Sequence, residues 1–273
     1  MHSSTHRSTL RPRITRSTAL GALFGSLVVA AAVTAELGAQ TTQGRRITRT
    51  SVGGSLARPV SASRGRSVRE MAARDRSFRV VVSLERRQLS VLKGTELIMQ
   101  APVAVGSGTT LRGLGQSWTF STPRGVRTVQ RKKVKPVWIP PDWMYVETAK
   151  EYGLKVEHLS ADRPRKLSSG RKLVIRKGVV RVVAPGFSYT PSLEEHLVFD
   201  NILFIPPTST KNRRIEGELG EFALDTGDGY MLHGTRLQNS IGQRATHGCL
   251  RLRDDDIEWL YKNVPVGTRV YLY

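Results

Sequence analysis

The chain has 273 residues, and an apolar fraction of 39 % is enough to bury a core, which excludes a disordered protein. A single cysteine, Cys249, excludes an internal disulfide framework. Lysine and arginine outnumber aspartate and glutamate by 43 to 22, a net charge of +21 that speaks to partners rather than to fold.

The amino-terminal segment sets the compartment. Arg7, Arg11, Arg13 and Arg16 form a basic region free of acidic residues, and an apolar stretch follows over residues 18–33 (TALGALFGSLVVAAAV). Small residues then stand at signal-peptidase spacing, either at Val33-Thr34-Ala35 or at Leu37-Gly38-Ala39. This order predicts a secretory signal peptide over residues 1–39. The apolar run is short for a bilayer span, which takes roughly 20 residues, so an uncleaved anchor is the alternative. Either way the remainder is expected to be exported, to a periplasm or cell envelope, where nucleic acid is no partner despite the charge. No cysteine lies near the cleavage site, so a lipid anchor is not expected.

Residues 40–77 are rich in Arg, Ser, Gly and Thr, without apolar periodicity, and read as a flexible basic linker. Outside a cell its electrostatic partner is an anionic envelope surface; the plainer reading is that its arginines only keep it solvated. From residue 78 the texture changes. Residues 78–84 (FRVVVSL), 88–92 (QLSVL) and 96–105 (ELIMQAPVAV) predict consecutive antiparallel strands, closed by a loop at Gly106-Ser107-Gly108. A turn at Pro123-Arg124-Gly125 precedes another extended stretch. Residues 135–143 (KPVWIPPDW) are too proline-rich for a central strand or a helix and predict an ordered loop whose tryptophans pack or bind sugar.

Residues 146–213 look inserted. A helix is expected over 147–152, a hairpin across Lys177-Gly178, and a short strand over 202–205. Ser192-x-x-Glu195 matches a capping box. The main sheet resumes at 221–224 and 230–232. Asp254 is placed to cap a helix, with Asp255 and Asp256 in its first turn and Ile257, Leu260, Tyr261 and Val264 on one face. Residues 269–273 close the chain as a strand. The expected core is mostly β, with that one well-marked helix.

Four histidines lie beyond the leader: His158, His196, His233 and His247. Two share a segment with the cysteine, in His233-Gly234-Thr235 and then Thr246-His247-Gly248-Cys249-Leu250-Arg251-Leu252. A thiol becomes a strong nucleophile when a neighbouring imidazole takes its proton. Glycines at 234 and 248 permit tight turns, N–H groups near Gly248 and Cys249 are candidates to hold an oxyanion, and Arg251 is a candidate for a substrate carboxylate. Zinc is the rival chemistry, but the residues offer no paired-cysteine spacing, so no metal and no cofactor are expected. The bland alternative is two structural histidines beside a buried cysteine.

The segment from His233-Gly234-Thr235 to Thr246-His247-Gly248-Cys249 resembles the signature of the L,D-transpeptidase catalytic domain family, with threonine at 246 where serine is more usual. The likeness extends to the opening strands, the Ser121-Thr122-Pro123-Arg124-Gly125 turn, the Trp/Pro loop, Leu219-Gly220 to Leu224, and the stretch from Asp254 to Val270. It covers most of residues 78–273, the insertion apart. The resemblance implies a sandwich-like, mostly-β fold with a carboxy-terminal helix and an inserted α+β subdomain. It implies a peptidoglycan L,D-transpeptidase acting on stem peptides, with Cys249 as nucleophile and His233 as proton acceptor and donor. Gly234 would orient His233, His247, Gly248 and Thr246 would shape the oxyanion pocket, and Arg251 would meet the substrate end. An L,D-carboxypeptidase and a non-catalytic wall-binding protein are the alternatives. Residues 147–176 also resemble the later part of a lysin motif, a small glycan-binding module.

Overall fold

A computed structural model describes residues 67–273; the expected leader and most of the expected basic linker lie outside the described residues. The linker's last stretch is corrected. Ser67 Oγ accepts from the Glu70 N–H and the Glu70 carboxylate accepts from the Ser67 N–H, a complete capping box that starts α1 (Val68–Arg74). Its Ala72 is buried with Val81 and Tyr271. Just beyond it, burial pushes the Asp75 carboxyl up, but hydrogen bonds from Ser77 and Tyr271 outweigh that and hold it at about 2. Buried Arg79 then ties the helix down by donating to the Ala72 and Gly94 carbonyls.

The first strands follow as expected: β1 (Arg79–Ser83), β2 (Gln88–Lys93) and β3 (Glu96–Pro102), paired antiparallel. The extended run expected to 105 breaks after Pro102, and β4 (Val105–Gly106) leaves to pair elsewhere. β5 (Thr110–Gly113) and β6 (Gln116–Thr119) form a hairpin over Leu114-Gly115, both at positive φ. β7 (Gly125–Thr128) and β8 (Arg131–Val134) precede the Trp/Pro loop. That loop ends sooner than expected, because α2 (Asp142–Glu151) starts on Pro141, where a proline at a helix start costs no hydrogen bond, and Trp143 is already helical.

Residues 155–205 supply β9 (Lys155–His158), β10 (Arg165–Lys166), β11 (Lys172–Arg176), β12 (Val179–Ala184), β13 (Phe187–Tyr189), β14 (Leu197–Phe199) and β15 (Ile202–Ile205). They make two small sheets, ordered β10-β11-β12-β13 and β14-β15-β9. β15 shows why both are needed. Phe204 faces Leu173, Val180 and Val182 of the first sheet, while Leu203 and Ile205 face Tyr145 and Ala149 of α2, the two-residue alternation of a strand buried on both sides. Lys177-Gly178 makes the expected hairpin turn, both residues at positive φ. The lysin-motif-like stretch is no closed unit: its strands pair with β12 and β15 beyond it. No helix follows Ser192, whose Oγ accepts from the Glu194 N–H in a local turn, so the capping box expected there is corrected.

The chain returns with β16 (Phe222–Asp225), β17 (Met231–His233), β18 (Arg244–Thr246), β19 (Leu250–Arg251), α3 (Asp254–Asn263) and β20 (Arg269–Leu272). Two sheets carry the main core, ordered β3-β2-β1-β20-β7 and β19-β17-β16-β8. Val80, Val82, Leu89 and Val91 of the first meet Leu224, Leu232 and Leu250 of the second, with Ile257 and Leu260 of α3 and Val264 at its end. Asp254 is the first helical residue rather than the cap; its carboxylate instead accepts from the Thr235 N–H. Among the described residues no helix is long and apolar enough to cross a membrane.

Candidate functional site

The two strands that carry the signature lie side by side. β17 and β19 run parallel with Leu232 beside Leu250 and His233 beside Arg251, so Cys249, just before Leu250, falls next to Met231. The two residues expected to react, sixteen apart in sequence, therefore border one groove of about 1570 Å³, which also takes in Arg251, Glu218 and Trp143.

His233 is 4 % exposed. Its Nδ1 lies 2.6 Å from the Gly234 carbonyl, an acceptor only, so Nδ1 carries the hydrogen and Nε2 keeps the free lone pair. Burial drops its pKa to about 4, against the carbonyl's upward pull, and the Arg251 charge adds to the fall; the ring is neutral at neutral pH. Gly234 itself has no room for a side chain. A Cβ there would stand 2.9 Å from the Asp254 carboxylate and 3.2 Å from the Gly220 Cα.

Cys249 is partly exposed. Burial pushes its thiol up, with the Met231 N–H and the Arg251 charge opposing. Its Sγ donates weakly to the Gly229 carbonyl at 3.7 Å, and no hydrogen bond joins it to His233. The resting pair is thus thiol and imidazole, not thiolate and imidazolium; such contacts commonly tighten only once substrate is bound.

A clamp of hydroxyls shapes the turn that presents the sulfur. Thr246 Oγ1 accepts from the Gly248 N–H at 3.1 Å and donates to the Cys249 carbonyl at 2.6 Å. Thr122 Oγ1 donates to the Gly248 carbonyl at 2.8 Å and accepts from the Gly106 N–H. Gly248 sits at φ +129°, and a Cβ would come within 2.9 Å of the Tyr230 ring. The Gly248 N–H is thus engaged by the Thr246 hydroxyl. Thr122 was missed in the sequence, where its Thr-Pro-Arg-Gly setting signalled only a turn.

His247 lines the same groove and has partners of its own. Its ring stacks on Trp143 at 3.9 Å, meets the Phe120 edge at 4.3 Å, and pairs through Nε2 with the Glu147 carboxylate at 3.0 Å. Burial lowers its pKa while Glu147 raises it. So His247 fastens α2 to the turn carrying Cys249. Arg251 is half-buried and loosely held, with one contact of 3.4 Å to the Ala245 carbonyl. Among the described residues no three His, Cys, Asp or Glu side chains converge to hold a metal.

The family model of the L,D-transpeptidase catalytic domain, YkuD, matches residues 77–272. The chain is 30 % identical over 195 residues to the probable L,D-transpeptidase YbiS of Escherichia coli K12, covering 70 % of this chain and 42 % of that protein. It is 30 % identical over 160 residues to the probable L,D-transpeptidase ErfK/SrfK of the same strain, covering 59 % and 35 %. The chain therefore spans well under half the length of these relatives. A solved L,D-transpeptidase from Xylanimonas cellulosilytica overlaps 73 % of this chain and 63 % of its own at 17 % identity and a TM-score of 0.37, too loose a likeness to argue from. On the strength of the family match, the chain belongs to the L,D-transpeptidase catalytic domain family.

Proposed function

We propose that this domain is a peptidoglycan L,D-transpeptidase working by ping-pong acyl transfer outside the cytoplasm, delivered there by the leader expected over residues 1–39. The observation that supports it most is the pairing of a neutral His233, its free Nε2 set by the Gly234 carbonyl, with the chain's one thiol in the same groove. Nε2 takes the thiol proton as Cys249 Sγ attacks the carbonyl joining the L-centre of a stem's diamino acid to its terminal D-alanine. The Cys249 N–H receives the developing oxyanion. The C–N bond then breaks, the imidazolium hands its proton to the departing D-alanine amine, and a thioester remains. An amine from a second stem attacks the thioester and gives its proton to His233, which returns it to the sulfur as the C–S bond breaks, restoring the thiol. The chemistry calls for neither metal nor organic cofactor.

Purified disaccharide-tetrapeptides test this directly. The expected products are free D-alanine and cross-linked dimers, with neither formed by Cys249→Ala. Trimmed monomers alone would make water the acceptor and the protein an L,D-carboxypeptidase. Wall binding with no product from the wild-type chain would overturn the enzymatic reading.

A further inference from the structure

The groove holds one carboxylate that the proposed reaction does not use. Glu218 is half-buried and lines the same groove as Cys249, His233 and Arg251. Among the described residues no hydrogen bond or ion pair reaches it. Burial pushes its carboxyl up, and the Arg251 and Arg236 guanidinium groups draw it partly back from a distance. A desolvated carboxylate left without a donor is costly, and its surroundings do not complete it.

Its position is fixed rather than loose. Gly217 and Gly220, on either side, both sit at positive φ. A Cβ at Gly220 would stand 2.8 Å from the Gly234 Cα, so this turn packs backbone to backbone on the residue after His233. Arg236 lies against Gly217 and donates to the Glu216 carbonyl at 3.3 Å. The backbone at Glu218 is thus held at a set place relative to the imidazole, and its carboxylate feels the Arg251 charge with no bond between them.

We propose that Glu218 is a specificity-determining residue, receiving the ammonium of a substrate amino-acid centre whose carboxylate Arg251 holds. Opposite charges that line one groove without bonding each other suit a substrate carrying both an ammonium and a carboxylate. A ligand offering only a carboxylate would meet Arg251 but be repelled by Glu218. The inference rests on the proposed function, since the far end of a stem's diamino acid carries this pair of groups.

Binding separates the two ideas. Calorimetry on Cys249→Ala, which cannot turn over, would compare a tetrapeptide bearing diaminopimelate in third position with the same peptide N-acetylated at the far amino group. Acetylation is expected to weaken binding at least about tenfold. In Cys249→Ala/Glu218→Gln the two peptides are expected to bind within about twofold of each other, with Glu218→Asp restoring part of the difference. A purely structural role for Glu218 would weaken both peptides alike, and that result, or acetylation without effect on Cys249→Ala, overturns the proposal. D-Alanine release by the wild-type chain is measured separately, so a stem that binds but is not cut strikes the reaction and leaves the recognition standing.

Discussion

The β-sandwich and the 142–213 segment are built on opposite plans. The sandwich shares one continuous apolar cluster among two sheets and α3, and the turn carrying Cys249 is clamped by hydroxyls rooted in it. The other segment divides its apolar residues between two clusters on either side of β15. It meets the Cys249 turn through an aromatic stack and a hydrogen bond to Glu147, both centred on His247. The difference separates chemistry from access: the rigid part presents sulfur and imidazole, and the other builds a wall of the groove.

Removing the sulfur is the sharpest way to break that division. Cys249→Ala is expected to reduce D-alanine release by at least about 10³-fold without disturbing either region, checked by a product assay beside a denaturant melt. Next in size is Leu203→Ala, which empties the face of β15 that packs on α2 and is expected to cost about 2–5 kcal/mol in a urea titration. Activity is expected to fall with it as α2 loses its seat, and unchanged activity would sever the two regions.

The pH profile sharpens the comparison without mutation. A general base works unprotonated, and burial lowers His233 to about 4, so kcat/KM is expected to hold from neutrality downward and fall only as pH drops through about 4. A midpoint near the ordinary histidine value of 6.5 would place the base elsewhere. The smallest effect belongs to Glu147→Gln. Its partner is partly exposed, so about 0.2–1 kcal/mol of stability is expected to go, with a modest rise in KM.

Much of this was legible in the residues. Alternating and β-branched runs placed β1, β2, β11, β12 and β15 within a residue or two, and the carboxy-terminal apolar spacing marked α3. What escaped depends on distant partners. Ser67-x-x-Glu70 and Ser192-x-x-Glu195 are the same local pattern, yet only the first starts a helix. Val68, Met71 and Ala72 have β1 and β20 to pack on, whereas the second run feeds straight into β14. The Glu147–His247 pair, one hundred residues apart, and the turn that carries Glu218 left no local trace either. The spacing that flagged His233 and Cys249 said nothing of Thr122, which reaches the Cys249 turn from 126 residues away.

A carbapenem offers the most direct test of whether the groove activates its sulfur, because a nucleophilic thiolate opens the β-lactam ring and keeps the acyl group. Intact-protein mass spectrometry after exposure is expected to show one adduct of a single drug mass on the wild-type chain and none on Cys249→Ala. A wild-type chain that stays unmodified, or an adduct that persists without Cys249, would contradict a reactive cysteine served by His233.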